Sequence, residues 1–267
     1  MNIINKYNKR AKKINSLLCV GLDADIAKIP KRFKKLKNPQ FEFNKFIIKE
    51  THMYASAFKM NIAFYDARGD KGLRELKMTT DYLIKNHGGI FLICDAKRGD
   101  IGNTNNGYVA AIFDWLGFDA VTVNPYLGQE AVQPFLNRKD KVSIILCRTS
   151  NEGAGEFQDL KVGGKFLWQI VAEKVSKAWN KNKNCMLVVG ATAPKEMKKI
   201  REITGDITFL VPGVGAQGGS VKEIMKAGVN KAGLGLIINS SRGIIFSKNP
   251  KAEARKLCEE IRKYKID

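Results

Sequence analysis

The sequence has few of the residues that hold metals or disulfides: two histidines and five cysteines among 267 residues. His52 and His87 stand isolated, and Cys19, Cys94, Cys147, Cys185 and Cys258 lie far apart with no CxxC pair. A zinc site needs such ligands at short, regular spacing, so none is expected. The odd, scattered cysteines give no disulfide framework either. The first four fall in or beside apolar runs, which makes reduced core thiols the expectation. No stretch approaches the roughly 18 uninterrupted apolar residues of a membrane-spanning helix. The opening MNIINKYNKR lacks the apolar core of a secretory leader, which points to the cytoplasm. No GxGxxG follows the first strand-like run, which ends instead in GLDAD, and this counts against a doubly wound dinucleotide-binding sheet. Low-complexity linkers and short repeats are missing too, so one domain over residues 1–267 is expected.

Acidic residues are outnumbered, 26 against 46 basic ones, for a formal charge of +20. The lysines are spread over many helical segments, and no dense arginine patch interleaves with aromatics. Such a pattern reads as a solvated basic surface rather than a nucleic-acid face. A non-catalytic, basic nucleic-acid-binding barrel is the alternative from a different functional class.

Short β-branched or apolar runs recur along the chain at residues 16–22, 56–62, 89–97, 120–123, 142–147, 185–190, 207–213 and 231–237. Between them, segments such as LRELKMTTDYLIKN and APKEMKKIREIT repeat apolar positions at three- and four-residue steps, as amphipathic helices do. INKYNKRAKKIN reads as a preceding helix and PKAEARKLCEEIRKYK as a closing one. Strands separated by helix-length crossovers pair in parallel, and eight of them in a chain this long predict a (β/α)8 barrel.

The chemistry concentrates at strand ends. On a strand, residues at i and i+2 share a face, so Phe91, Ile93, Asp95 and Lys97 are expected to project together. Two charges then terminate an apolar face at the C-terminal mouth, where barrel enzymes place reactive groups. The second strand also ends in a lysine, Lys59, and the first in Asp23. Charges of alternating sign at one mouth compensate each other's desolvation, which favours a site over independent surface charges. VPGVGAQGG after strand 7 and INSSRGII after strand 8 are glycine-rich and carry Arg242, a combination suited to a phosphate.

DAKRGDIGNT (95–104) resembles the Asp-x-Lys-x-x-Asp-Ile-x-x-Thr signature of the orotidine 5′-phosphate decarboxylase family. The resemblance runs from GLD (21–23) through FKMNIAFYDARG, VTVNPYLG, TSNEGAG and PGVGAQGG to NSSRGIIF, and is similar to the longer-chain branch. It implies decarboxylation of orotidine 5′-phosphate to UMP without a cofactor or metal. By position, Lys59, Asp95, Lys97 and Asp100 would form the charged network, with Lys97 the proton donor and Asp100 supplied by the second subunit of a homodimer. Asp23 and Asn61 would lie near the ribose, and Thr104 would reach across from the partner. Thr149 and Ser150 would approach the pyrimidine. Pro212, Gln217, Asn239, Ser241 and Arg242 would surround the phosphate, with the Ser241 backbone N–H favoured over its side chain. The nearest rival is a Mg²⁺-dependent sugar-phosphate decarboxylase or aldolase of the same superfamily. Those relatives carry an acidic residue where this chain has Lys59, and a lysine repels a divalent cation.

Overall fold

The computed structural model describes residues 3–214 and 218–265. Eight parallel strands close into a barrel: β1 (Leu18–Gly21), β2 (Ala57–Asn61), β3 (Phe91–Arg98), β4 (Ala120–Val123), β5 (Val142–Arg148), β6 (Cys185–Val189), β7 (Phe209–Val211) and β8 (Leu236–Ser240). Each strand pairs with its sequence neighbours, and β8 returns to β1 through Leu18–Ile238, Cys19–Asn239 and Val20–Ser240. Every residue of β1, β4, β6, β7 and β8 is buried. Burial on both faces explains why these strands read as continuous apolar runs rather than alternating ones.

Helices cover the outside: α1 (Ile4–Lys13), α2 (Pro39–Thr51), α3 (Gly69–His87), α4 (Gly102–Val109), α5 (Gly128–Leu136), α6 (Leu167–Lys174), α7 (Pro194–Thr204), α8 (Val221–Gly228) and α9 (Pro250–Arg262). α1 lies across the N-terminal end of the barrel. Tyr7 Oη donates to Leu236 O at 2.5 Å, and Lys6 pairs with Asp119 at 2.6 Å. With that end closed by packing, the opposite mouth is left for chemistry.

Two expectations change. The eighth strand begins at Leu236, not at Lys231. Gly233 and Gly235 take φ of 66° and 87°, and Asn230 Oδ1 accepts from the Ala232 and Leu234 N–H groups, so the segment before Leu236 is a turn. The strand is thereby shifted toward the mouth, and Asn239 belongs to it. The two histidines, isolated in sequence, meet in space. His52 follows α2, His87 ends α3, and their ring centroids lie 4.6 Å apart.

All five cysteines are free and buried. Desolvation pushes the Cys147 and Cys185 thiols up to about 12, which keeps them protonated and unreactive.

Candidate active site

β1 and β2 deliver the first pair of charges. A Cβ at Gly21 would lie 2.7 Å from Ser241 Cβ and 2.8 Å from Asp23 Oδ2, so the chain closes here only without a side chain. Asp23 follows immediately, and its Oδ1 accepts from Asn61 N–H at 2.7 Å. Lys59 projects between two carboxylates, with Nζ 3.1 Å from Asp23 Oδ2 and 3.0 Å from Asp95 Oδ2. It is 3% exposed. Burial alone would drive this ammonium toward neutrality, but Asp23 and Asp95 outweigh it and hold Lys59 above the usual lysine range.

β3 delivers the second pair, though not by simple alternation. It is in register with β4 at Cys94–Val121, and the next registered pair is Arg98–Val123. Four residues of β3 therefore span two of β4. Inside this bulge Lys97 adopts φ 48°, a left-handed conformation costing a lysine about 1–2 kcal/mol. The expected shared face holds as far as Asp95. Beyond it, the left-handed turn rather than the pleat sets the direction of Lys97, whose Nζ lies 2.7 Å from Asp95 Oδ1. Desolvation by itself would raise the Asp95 pKa, yet Lys59 and Lys97 together hold it well below the carboxylate range. The result is a continuous chain, Asp23–Lys59–Asp95–Lys97, with its last ammonium half-exposed at the mouth.

The other wall comes from the end of the sequence. Pro212, Gly213, Val214, Asn239, Ser241 and Arg242 face Asp23, Lys59, Asn61, Phe64 and Asp95 across a cleft of about 360 Å³. Asn239 is 7% exposed, and its Oδ1 has no hydrogen-bond partner among the described residues. A buried acceptor left open in a cleft wall is a place for a ligand's donor. The Ser241 hydroxyl donates to Gly21 O at 3.2 Å, so its proton is not offered to a phosphate. Arg242 is exposed, and among the described residues no carboxylate pairs with it. Gln217 lies outside the described residues.

Five expected residues stand apart from the cleft lining: Lys97, which reaches the site only through Asp95, and Asp100, Thr104, Thr149 and Ser150. Thr149, just beyond β5, is bound to its own loop: its Oγ1 donates to Asn151 Oδ1 at 2.6 Å and accepts from Gln158 Nε2 at 2.8 Å. Ser150 packs its backbone close to Gly190. Among the described residues Asp100 forms no ion pair with the charged chain, and its Oδ1 accepts the Ile101 N–H at 2.7 Å. Thr104 is exposed on α4.

Several contributors escaped the sequence reading. Phe64 lines the cleft from the short helix after β2. Gln158 holds Thr149, and Asn105 holds the Asp100 backbone by donating to Asp100 O while its Oδ1 accepts Asp100 N–H at 3.2 Å. Thr122 on β4 touches both Asp95 and Lys97. A polar residue inside an apolar run was the available signal for Thr122. Gln158 sits in an irregular excursion with no periodicity to mark it. Among the described residues no group of three or more His, Cys, Asp or Glu side chains is placed to hold a metal ion.

The geometry can be set beside known proteins. The model of the orotidine 5′-phosphate decarboxylase / HUMPS family matches residues 16–257. The chain is 51% identical over 237 residues to an orotidine 5′-phosphate decarboxylase of Christiangramia forsetii, an alignment covering 89% of this chain and 86% of that one. It is 48% identical over 248 residues to the enzyme of the same name in Flavobacterium johnsoniae, with 93% and 90% covered. The fold superposes on an OMP decarboxylase from Leishmania donovani with a TM-score of 0.90 at 39% identity, covering 99% of each chain.

Proposed function

The chain belongs to the orotidine 5′-phosphate decarboxylase / HUMPS family, and from that premise we propose that it converts orotidine 5′-phosphate to UMP in the last step of pyrimidine biosynthesis. The observation that carries the proposal is the alternating chain Asp23–Lys59–Asp95, which lines the cleft with Arg242 and continues through Asp95 to Lys97. Arg242 and the Ser241 backbone N–H donate to the phosphate, and Pro212 and Gln217 line the region around it. Asp23 and Asn61 take the ribose. Asn239 offers its open Oδ1 on the same side, and Thr149 and Ser150 close over the pyrimidine.

With the phosphate anchored, the pyrimidine C6 carboxylate meets Asp95. The C6–carboxylate bond breaks, its electron pair stays on C6, and CO2 departs. Lys97 stabilises the developing carbanion with its ammonium and then delivers a proton to C6. The half-exposed Lys97 recovers a proton from solvent. Binding energy from the distant phosphate contributes to the same transition state.

The metal-dependent members of the superfamily are disfavoured by Lys59, whose ammonium lies 3.1 Å and 3.0 Å from the two carboxylates that would otherwise receive a divalent cation. No helix among the described residues is long and apolar enough to cross a membrane.

We further infer a homodimer in which Asp100 and Thr104 complete the partner's site. The Asp100 carboxylate joins no ion pair among the described residues. Nearby surface is apolar: Ile101 is 63% exposed and Tyr126 82%. The deciding assay follows the absorbance of orotidine 5′-phosphate and identifies UMP as product, with and without EDTA. Turnover that survives the chelator supports the proposal. Turnover abolished by it favours the Mg²⁺-dependent rival, and retention on duplex DNA with no turnover favours the nucleic-acid-binding alternative.

A further inference from the structure

We propose that Thr122 is a positioning residue for this chemistry, one hydroxyl holding the Lys97 backbone and the Asp95 carboxylate in their working geometry. The inference rests on the decarboxylase reading above. Thr122 lies in the middle of β4 and is 1% exposed. Its Oγ1 accepts the Lys97 N–H at 2.9 Å and donates to Asp95 Oδ1 at 3.0 Å. The direction is forced, because a backbone N–H can only donate and a carboxylate oxygen only accept.

Both contacts fall where the pairing of β3 with β4 is interrupted, although Asp95 stays in register with Asn61 of β2 on the other side. Between Cys94 and Arg98, no residue of β3 is in register with β4. Lys97 must nevertheless remain at φ 48°, a conformation that persists only when its surroundings hold it. The threonine hydroxyl takes the N–H that the interrupted ladder leaves over. The same hydroxyl binds the carboxylate oxygen that receives Lys97 Nζ at 2.7 Å, so backbone and side chain of the lysine are tied to one point. A valine would fill the same space and suit the strand equally well. What threonine adds is the pair of hydrogen bonds to Asp95 and Lys97.

The test compares Thr122→Ser, Thr122→Ala and Thr122→Val by steady-state turnover of orotidine 5′-phosphate, with melting temperature measured in parallel. Serine keeps the hydroxyl and should hold kcat within about threefold of wild type. Alanine and valine should lose about 10- to 100-fold in kcat while KM stays within about threefold, because the phosphate contacts are untouched. Serine and alanine both lose the methyl group, so their difference isolates the hydroxyl even if valine disturbs folding. Equal loss in serine and alanine, full kcat in a folded valine variant, or a loss confined to KM would each overturn the positioning role. A wild type inactive on orotidine 5′-phosphate would overturn the decarboxylase reading and this inference together. An active wild type with an indifferent valine variant would overturn this inference alone.

Discussion

Lys97 occupies a conformation that lysine avoids, at φ 48°, with its ammonium half in solvent and half on Asp95. Strain of that kind is tolerated where it places a reacting group. Lys97→Ala removes both the cation beside C6 and the proton. It should lower kcat by about 10³-fold or more while far-ultraviolet circular dichroism and melting stay near wild type. A folded variant with near-normal kcat would refute the proton-donor role. Arg242→Ala deletes an exposed cation at the far wall of the cleft, away from the reacting carbon. Its effect should fall chiefly on kcat/KM, by about 10- to 100-fold, the worth of a charged hydrogen bond. If the two variants gave the same kinetic pattern, the division between chemistry and anchoring would be wrong.

At the scale of elements, the helices around the mouth are tied to each other by buried polar groups. Glu75, 2% exposed on α3, pairs with Arg68 at 2.6 Å and accepts the Phe41 N–H of α2 at 2.7 Å. Arg68 in turn donates to Gln40, which donates to Ala24 O and Phe64 O, so this network also fixes the loop bearing Phe64. Glu75→Ala strands a largely buried guanidinium and should cost about 3 kcal/mol, lowering Tm by roughly 5–10 °C in a thermal melt. No change would show that water replaces the carboxylate. The His52–His87 pair joins the C-terminal ends of the same two helices, at the end of the barrel away from the mouth. Desolvation, then His52 and Arg10, hold the His87 pKa below its ordinary value. The unfolded chain therefore takes up a proton first, near pH 6.5, so this contribution to stability is present above that pH and is lost as pH falls. Tm should drop less between pH 7.5 and 5.5 in His87→Gln than in wild type; parallel curves would remove His87 as a source of the acid sensitivity.

For the whole molecule, the question is whether a pocket is completed by its own chain. Asp95 and Lys97 sit on β3, whereas Asp100 and α4 lie past the point where the chain leaves the barrel. In a two-fold assembly this rim can enter the partner's mouth. Inactive Lys97→Ala chains mixed with inactive Asp100→Ala chains under subunit exchange should then regain about a quarter of wild-type activity, since each heterodimer holds one pocket with both defects and one with neither. Heterodimers that form without recovery would place Asp100 in its own subunit's chemistry.

The sequence by itself determined whatever is written locally. The (β/α)8 architecture was legible because buried parallel strands demand continuous apolar runs and their crossovers demand amphipathic helices. Asp23, Lys59, Asp95 and Lys97 could be placed at one mouth because each lies toward or just past the C-terminal end of an apolar run, and those ends converge in a barrel. Contacts between distant segments were decided only by the tertiary structure. The Ser241 bond to Gly21 spans 220 residues, and Thr122 meets Asp95 across 27. Such pairs depend on register and barrel closure, which leave no periodic trace. The same holds for the bulge that turns Lys97. Alternation predicts a direction for every side chain, but two extra residues on β3 appear only when the strand is laid against β4. The start of β8 was misplaced for a related reason. KAGLGLI is apolar enough to be a strand, and only the glycine conformations and the Asn230 cap convert its first half into a turn.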